Sequence, residues 1–235
     1  MSEYVQLKAR DGNALSAYVA RPSVPPVAGV VIIQEIFGVN RHIRAVADGY
    51  ARSGFLVAAP ALFDRYERKP APGVELDYSG ADVQHAMALY GKLNVDAAVT
   101  DVAAAFGWLQ QSVAHIGVVG FCYGGLIAWL SATRLKPQYG LAPQAAVGYY
   151  AGGIGQYAAE APTCPVMLHF GGKDDHIGAD QRDAVAKAHP DVKIFVYPEA
   201  GHAFNRDVDP ARYNAEAAKL AQERTLAFLR ENMGK

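Results

Sequence analysis

The chain has 235 residues, 51% hydrophobic and 19% charged, with 22 Lys and Arg set against 23 Asp and Glu and only two cysteines. A near-neutral chain that is half apolar can bury a full core, which excludes intrinsic disorder. Its net charge of −1, with no basic cluster longer than Glu67-Arg68-Lys69, leaves no electrostatic footprint for nucleic acid or anionic lipid, so neither is expected as a partner.

The N-terminal Met1-Ser2-Glu3-Tyr4 has neither the basic nor the apolar region of a signal peptide. The first signal is a hairpin: Val5-Gln6-Leu7 and Leu15 to Ala20 flank Asp11-Gly12-Asn13, where Asp-Gly tolerates the positive φ angles of a tight turn. The longest apolar stretch follows, Val27 to Ile33, and it stops at Gln34-Glu35, far short of the ~18 residues a membrane span needs. A cytoplasmic protein is expected, and in a reducing compartment Cys122 and Cys164 are expected as free thiols. Beyond the hairpin the period changes. Val30 to Ile33, Phe55 to Ala58, Ile116 to Val119, Ala145 to Tyr149, Val166 to Phe170 and Ile194 to Tyr197 are short apolar runs without clean alternation, as expected of strands buried on both faces. Helical patterns lie between them, at Ile43 to Arg52 with Gly54 as its C-terminal cap, Val95 to Gln111, Leu126 to Arg134, Gln181 to Ala188 and Arg212 to Arg230. No repeat or long linker interrupts this alternation. It predicts one α/β domain over residues 1–235, a mostly parallel sheet with helices on both faces behind an N-terminal β-hairpin. Ligands in such sheets bind beyond the carboxyl ends of the strands.

After Ile116 to Val119 comes Gly120-Phe121-Cys122-Tyr123-Gly124-Gly125 and then a helix. This is a nucleophile elbow, G-x-C-x-G, with cysteine where serine is usual. The turn is strained, and side chains two residues either side of the nucleophile would strike neighbouring backbone. A thiol at a helix N-terminus also faces unpaired N–H groups and the positive end of the dipole, which favour the reactive thiolate. The bland alternative is a small buried cysteine in a tight turn; that reading suits Cys164, between Thr163 and Pro165. No serine stands in G-x-S-x-G.

A cysteine nucleophile needs a base. His202, in Gly201-His202-Ala203-Phe204 after the last strand, is placed to swing over the sheet's edge. His169 lies inside a strand as a core residue, His42, His85, His115 and His189 read as surface histidines at element boundaries, and His176 is the rival because it too sits in a loop. The third member orients the imidazole. Gly171-Gly172-Lys173-Asp174-Asp175-His176 offers two carboxylates at the correct edge, and the chain order nucleophile, acid, histidine is that of α/β-hydrolases. Asp174 is chosen, with Asp175 as the alternative; the Asp-Asp-His cluster reads weakly as a metal site because the sequence places no further ligand. Glu35, closing the most apolar strand, is either solvated at the strand's end or a carboxylate that holds or exchanges the Cys122 proton. The oxyanion donors expected from this fold are the backbone N–H groups of Ile36 and Tyr123.

These residues resemble the dienelactone hydrolase (carboxymethylenebutenolidase) family of the α/β-hydrolase fold. The matching segments are Gln34-Glu35-Ile36-Phe37-Gly38-Val39-Asn40, the elbow, Val147-Gly148-Tyr149-Tyr150, Gly171-Gly172-Lys173-Asp174 and Gly201-His202-Ala203-Phe204, in order along nearly the whole chain. The resemblance implies a triad of Cys122, Asp174 and His202. It also implies a Glu35 that contacts the resting thiol and releases it when substrate binds, and an arginine four residues past the histidine, here Arg206, on the substrate carboxylate. A second arginine is expected on the helix before the elbow, but Asp82-Val83-Gln84-His85-Ala86-Met87 has none, and Met87 stands where an aromatic hydroxyl would help. His85 and Arg65 are the candidates to compensate. The resemblance further implies a monomer.

The expected activity is cysteine-dependent opening of a small, dienelactone-like lactone through a thioester, with no metal or organic cofactor. Rival readings are a carboxylesterase for neutral esters, a cysteine peptidase or glyoxalase-like protein, and a non-catalytic thiol sensor that uses Cys122 for reversible oxidation.

Overall fold

Asp11-Gly12-Asn13 does reverse the chain. In the computed structural model, which describes residues 2–69 and 73–234, β1 (Ser2–Lys8) and β2 (Ala14–Ala20) pair antiparallel, with Ser2 opposite Ala20 and Lys8 opposite Ala14. Gly12 supplies a φ of 90°, and Asp11 Oδ1 accepts the Asn13 N–H at 3.1 Å, a turn that a short side-chain acceptor closes.

The chain divides into two compact units, Met1–Val118 and Val119–Lys235. In the first, the strand order is β1-β2-β4-β3, with β3 (Ala28–Ile33) and β4 (Phe55–Pro60) parallel and β2 antiparallel to β4. Every residue of β3 and β4 is buried, which is why their sequences run apolar without alternation. The helix between them, α1 (Arg41–Arg52), starts where Asn40 Oδ1 accepts the Ile43 N–H and stops before Gly54, whose φ of 97° no β-branched residue tolerates. α3 (Val95–Leu109) packs on β3 and β4. Between β4 and α3, α2 (Gly80–Tyr90) buries only Ala86 and Leu89, against a small cluster with Phe37, Phe63, Val74 and Leu76. That narrow inner face explains why apolar periodicity does not announce the helix.

The chain passes from one unit to the next within β5 (Ile116–Phe121), and the second unit carries the order β6-β7-β8: β6 (Ala145–Tyr149), β7 (Val166–Gly171) and β8 (Lys193–Tyr197), all parallel in register. α4 (Tyr123–Tyr139) precedes β6, α5 (Ala179–Ala188) separates β7 from β8 and α6 (Ala215–Met233) follows β8, while β6 and β7 are joined through a short 3-10 turn at Ile154–Tyr157. β8 departs from the expected two-sided burial. It is the terminal strand of the order, and Val196 is 41% exposed. Because β6, β7 and β8 run in the same direction, the loops after β7 and β8 leave from the same edge. Among the described residues no helix is long and apolar enough to cross a membrane.

Candidate active site

The loop between β5 and α4 is one residue long, and that residue is Cys122, at φ 55° and ψ −118°. A non-glycine residue is rarely held there, and the surroundings show what enforces it. Its N–H donates to Tyr149 O at 3.0 Å, while its own carbonyl accepts the N–H of Gly125 at 2.9 Å. Packing around the turn excludes side chains: a Cβ on Gly120 would lie 1.8 Å from Gly124 O, and one on Gly125 would lie 2.6 Å from Tyr149 O. Cys122 thus caps a 17-residue helix and stands at the positive end of its dipole.

The loops after β7 and β8 bring it a carboxylate and an imidazole. Gly172 N–H donates to Tyr197 O at 2.7 Å and Lys173 N–H to Ala200 O at 2.9 Å, so the chain after β7 follows the chain after β8 closely. Cβ atoms on Gly171 and Gly172 would fall 2.5 Å from Ala200 O and 2.7 Å from Pro198 Cα, which is the physical reason for the Gly-Gly step. Asp174, its side chain fully buried, then accepts the N–H groups of His176 and Ile177 on Oδ1, at 2.9 and 3.1 Å, and His202 Nδ1–H on Oδ2 at 2.9 Å. His202 Nε2 lies 3.3 Å from Cys122 Sγ. The three residues form one hydrogen-bonded chain. Asp175 points elsewhere, 70% exposed and beside Arg212, and His176 is a half-exposed ring edge-on to His202 at 5.0 Å.

Electrostatics follow from that geometry. Burial disfavours a charged His202, but its hydrogen bonds to Asp174 and Cys122 and the negative charge on both outweigh burial and push it up to about 10. Burial likewise works against the Asp174 carboxylate, yet His202 and the two backbone donors hold it below the usual carboxylate range. Burial alone pushes the Cys164 thiol up to about 12, leaving it an inert structural thiol. His169 is a core residue: Nδ1 meets Tyr197 Oη at 2.9 Å, Nε2 meets Thr225 Oγ1 at 3.0 Å, and burial pushes it down to about 3.

Other residues singled out by the sequence are placed as follows. Glu35 is fully buried, so it is not a solvated strand end; Tyr78 Oη lies 3.4 Å from its Oε2. Ile36 follows in a half-buried loop, and Tyr123 is buried as the first residue of α4. Arg206 is buried, its Nη1 donating to Asp209 Oδ2 at 3.2 Å. The two candidates for a compensating cation are both engaged: Arg65 ties to Asp101 through Nε and Nη2 and to Asp11 through Nη1, and His85 Nε2 meets Glu67 at 2.6 Å. Met87 is 53% exposed. His42, expected at the surface, is buried instead, because α1 turns that position inward. Among the described residues no group of three or more His, Cys, Asp or Glu side chains is placed to hold a metal ion. Tyr150 carried no assigned role in the sequence; its ring packs edge-on against His202 at 5.2 Å from a strained φ of 37°.

The model of the dienelactone hydrolase family matches residues 15–233, nearly the whole chain. The chain belongs to the dienelactone hydrolase family. Within it, the chain is 33% identical over 238 residues to the carboxymethylenebutenolidase of Pseudomonas putida, covering 97% of this chain and 96% of that protein. It is 31% identical to carboxymethylenebutenolidase 1 of Cupriavidus pinatubonensis, with 97% of each covered. A solved structure from Klebsiella pneumoniae, named as a candidate dienelactone hydrolase, superposes with a TM-score of 0.79 at 30% identity over 97% of this chain and 98% of that one. The Pyrococcus furiosus esterase Pf2001, at 17% identity and a TM-score of 0.68 over 100% of this chain and 94% of that one, shares the fold alone. This dienelactone hydrolase family member has the α/β-hydrolase fold, and its elbow, acid and histidine fall after β5, β7 and β8 in that fold's order.

Proposed function

We propose that this ester- and lactone-bond hydrolase uses Cys122 as its nucleophile and opens a small, activated lactone through a thioester. The supporting observation is the unbroken chain from Asp174 through His202 to Cys122 Sγ, at 2.9 and 3.3 Å. The thiolate attacks the carbonyl carbon and a C–S bond forms, with the backbone N–H of Tyr123, the residue after the nucleophile, among the donors that stabilise the oxyanion. The ring C–O bond then breaks, and the leaving enolate oxygen takes the proton of His202, which leaves a neutral imidazole. Acylation removes the negative charge and hydrogen bond that Cys122 lends His202, two of the influences that keep the ring protonated, so the imidazole becomes a competent base. It takes a proton from water, hydroxide adds to the thioester, and the C–S bond breaks to release the acid and restore the thiolate. Thiolate suits a stable leaving group such as an enolate better than an amine, which favours lactones over peptides.

A second reading, turnover of neutral esters, is favoured by the engagement of Arg65 with Asp101 and Asp11 and of His85 with Glu67. Neither stands in for the cation missing from α2. The deciding experiment incubates the purified protein with an anionic dienelactone and with a neutral p-nitrophenyl ester, before and after iodoacetamide treatment, alongside Cys122→Ala. Lactone turnover abolished by both treatments is expected. Turnover of the neutral ester alone replaces the lactone reading with the second; lactone hydrolysis that survives alkylation and Cys122→Ala overturns the nucleophile. A reactive thiol with no turnover of either substrate would leave only the sensor.

A further inference from the structure

Glu35 is a fully buried carboxylate, and the loop it opens is strapped down by residues 74–78. Leu76 N–H donates to Phe37 O at 3.0 Å, Gly38 and Glu75 form an antiparallel bridge, and Asn40 Nδ2 donates to Leu76 O at 3.0 Å. Arg44 reinforces the strap by pairing with Glu75 while donating to Val39 O at 2.8 Å. Gly38, at φ 80°, marks the closest approach: a Cβ there would lie 1.9 Å from Val74 O. The strap ends at Tyr78, whose ring meets Phe37 edge-on at 4.6 Å and whose hydroxyl lies 3.4 Å from Glu35 Oε2.

The direction of these hydrogen bonds is set by α1. Asn40 caps that helix, its Oδ1 accepting the Ile43 N–H at 3.3 Å. With the oxygen committed there, both protons of Nδ2 point the other way, one to Leu76 O and one to Tyr78 Oη at 2.9 Å. The tyrosine oxygen therefore accepts from Asn40, and its single proton is directed at Glu35. A buried carboxylate that receives an O–H donor is favoured in its charged form.

We propose that Tyr78, oriented by Asn40, is a positioning residue that holds Glu35 as a carboxylate in its buried site. The proposal rests on the expectation, implied by the resemblance, that Glu35 acts on the Cys122 thiol as a carboxylate, and it names a group that keeps it charged. Charged groups on and beside the strap include Arg44 and Glu75, paired with each other, Asp77 within it, and Asp82, whose carboxylate accepts the Asp77 N–H at 2.8 Å.

The test is Tyr78→Phe, which keeps the ring against Phe37 and deletes only the hydroxyl. In protein labelled with 13C at glutamate carboxyls, the Glu35 signal is identified by its absence from Glu35→Gln and titrated in both backgrounds. Loss of one donor to a buried carboxylate is expected to raise the Glu35 midpoint by about 1–2 pH units. The acid limb of kcat/KM is expected to move up with it, and that movement is expected to vanish when Tyr78→Phe is made in Glu35→Gln. An unchanged midpoint overturns the proposal, as does a rise in KM with no change in titration, which would mean that Tyr78 acts by touching substrate. Should Cys122→Ala retain turnover, the nucleophile reading fails, while the carboxyl titration still decides the coupling of Tyr78 to Glu35.

Discussion

Asp174→Asn tests the orientation of the proposed triad, because the structure dictates how an amide would sit there. Oδ1 of Asp174 is already held by two backbone donors, His176 N–H at 2.9 Å and Ile177 N–H at 3.1 Å. In the asparagine variant those donors retain the carbonyl oxygen, so the NH2 group is left facing His202 Nδ1, where Oδ2 now lies at 2.9 Å. Two donors cannot share that contact. The ring must present a bare Nδ1 and carry its proton on Nε2, the atom 3.3 Å from Cys122 Sγ, which then can no longer accept the thiol proton. A serine triad loses about 10⁴-fold from the same inversion; a thiolate is intrinsically more nucleophilic, so we expect kcat/KM to fall by about 10³-fold, or about 4 kcal/mol. The pH profile supplies a second reading. In the wild type the imidazolium persists to about 10, and losing the Asp174 charge moves the alkaline limb of kcat/KM to lower pH. Steady-state rates on the turned-over substrate across pH 5–11 measure both, with thermal unfolding to confirm an intact fold. Asp175→Asn is the control: its carboxylate is 70% exposed, and a change within about twofold is expected. Near-normal activity in Asp174→Asn together with a crippled Asp175→Asn would refute the assignment of the acid.

Two further predictions concern the scaffold. Gly120→Ala sets a methyl carbon 1.8 Å from Gly124 O, an overlap that only backbone movement relieves, so a loss of about 3 kcal/mol or more is expected by urea denaturation, and retention of wild-type stability would contradict the close approach. His169 titrates near 3 when folded and near 6.5 when unfolded, so between those values the unfolded chain binds the extra proton and stability declines as pH falls through 6.5. The slope is about 1.4 kcal/mol per pH unit, hence a gap of about 2 kcal/mol between pH 7 and pH 5 that His169→Gln should lack; an identical acid slope in the variant would show that the buried ring does not cause it.

The strands were legible because a strand covered on both faces writes itself as an unbroken apolar run. β6 begins and ends where Ala145 to Tyr149 does, and β3 and β4 exceed their runs only by flanking Ala, Gly and Pro residues. β8 shows the limit of that logic: Ile194 to Tyr197 is apolar, yet it is the terminal strand of its order and part of it faces solvent. Helix starts were less legible. α4 begins at Tyr123 rather than Leu126, since the elbow forces Gly124-Gly125 into the first turn despite their poor propensity. α6 begins after Asn214, whose Oδ1 accepts the Ala217 N–H at 3.0 Å; that capping residue stands in the sequence, but the amphipathic pattern already runs from Arg212 and hides it.

The proposed triad and its supports differ in the same way. Cys122, Asp174 and His202 sit where a strand meets a turn, and the glycines that permit the turns, Gly120 and Gly171-Gly172, are visible because no other residue fits backbone approaches of 1.8 to 2.7 Å. Tyr78 has no such marker. It lies in an irregular segment before α2, and its importance arises only when the strap folds over the loop that follows β3, so that one hydroxyl meets Glu35 and Asn40 together. A chemically reactive side chain is constrained by its own backbone and leaves a local signature. A residue that governs the charge of another is constrained by a distant segment and leaves none, which is why the group that acts on Glu35 had to be found through the direction of its hydrogen bonds rather than through a motif.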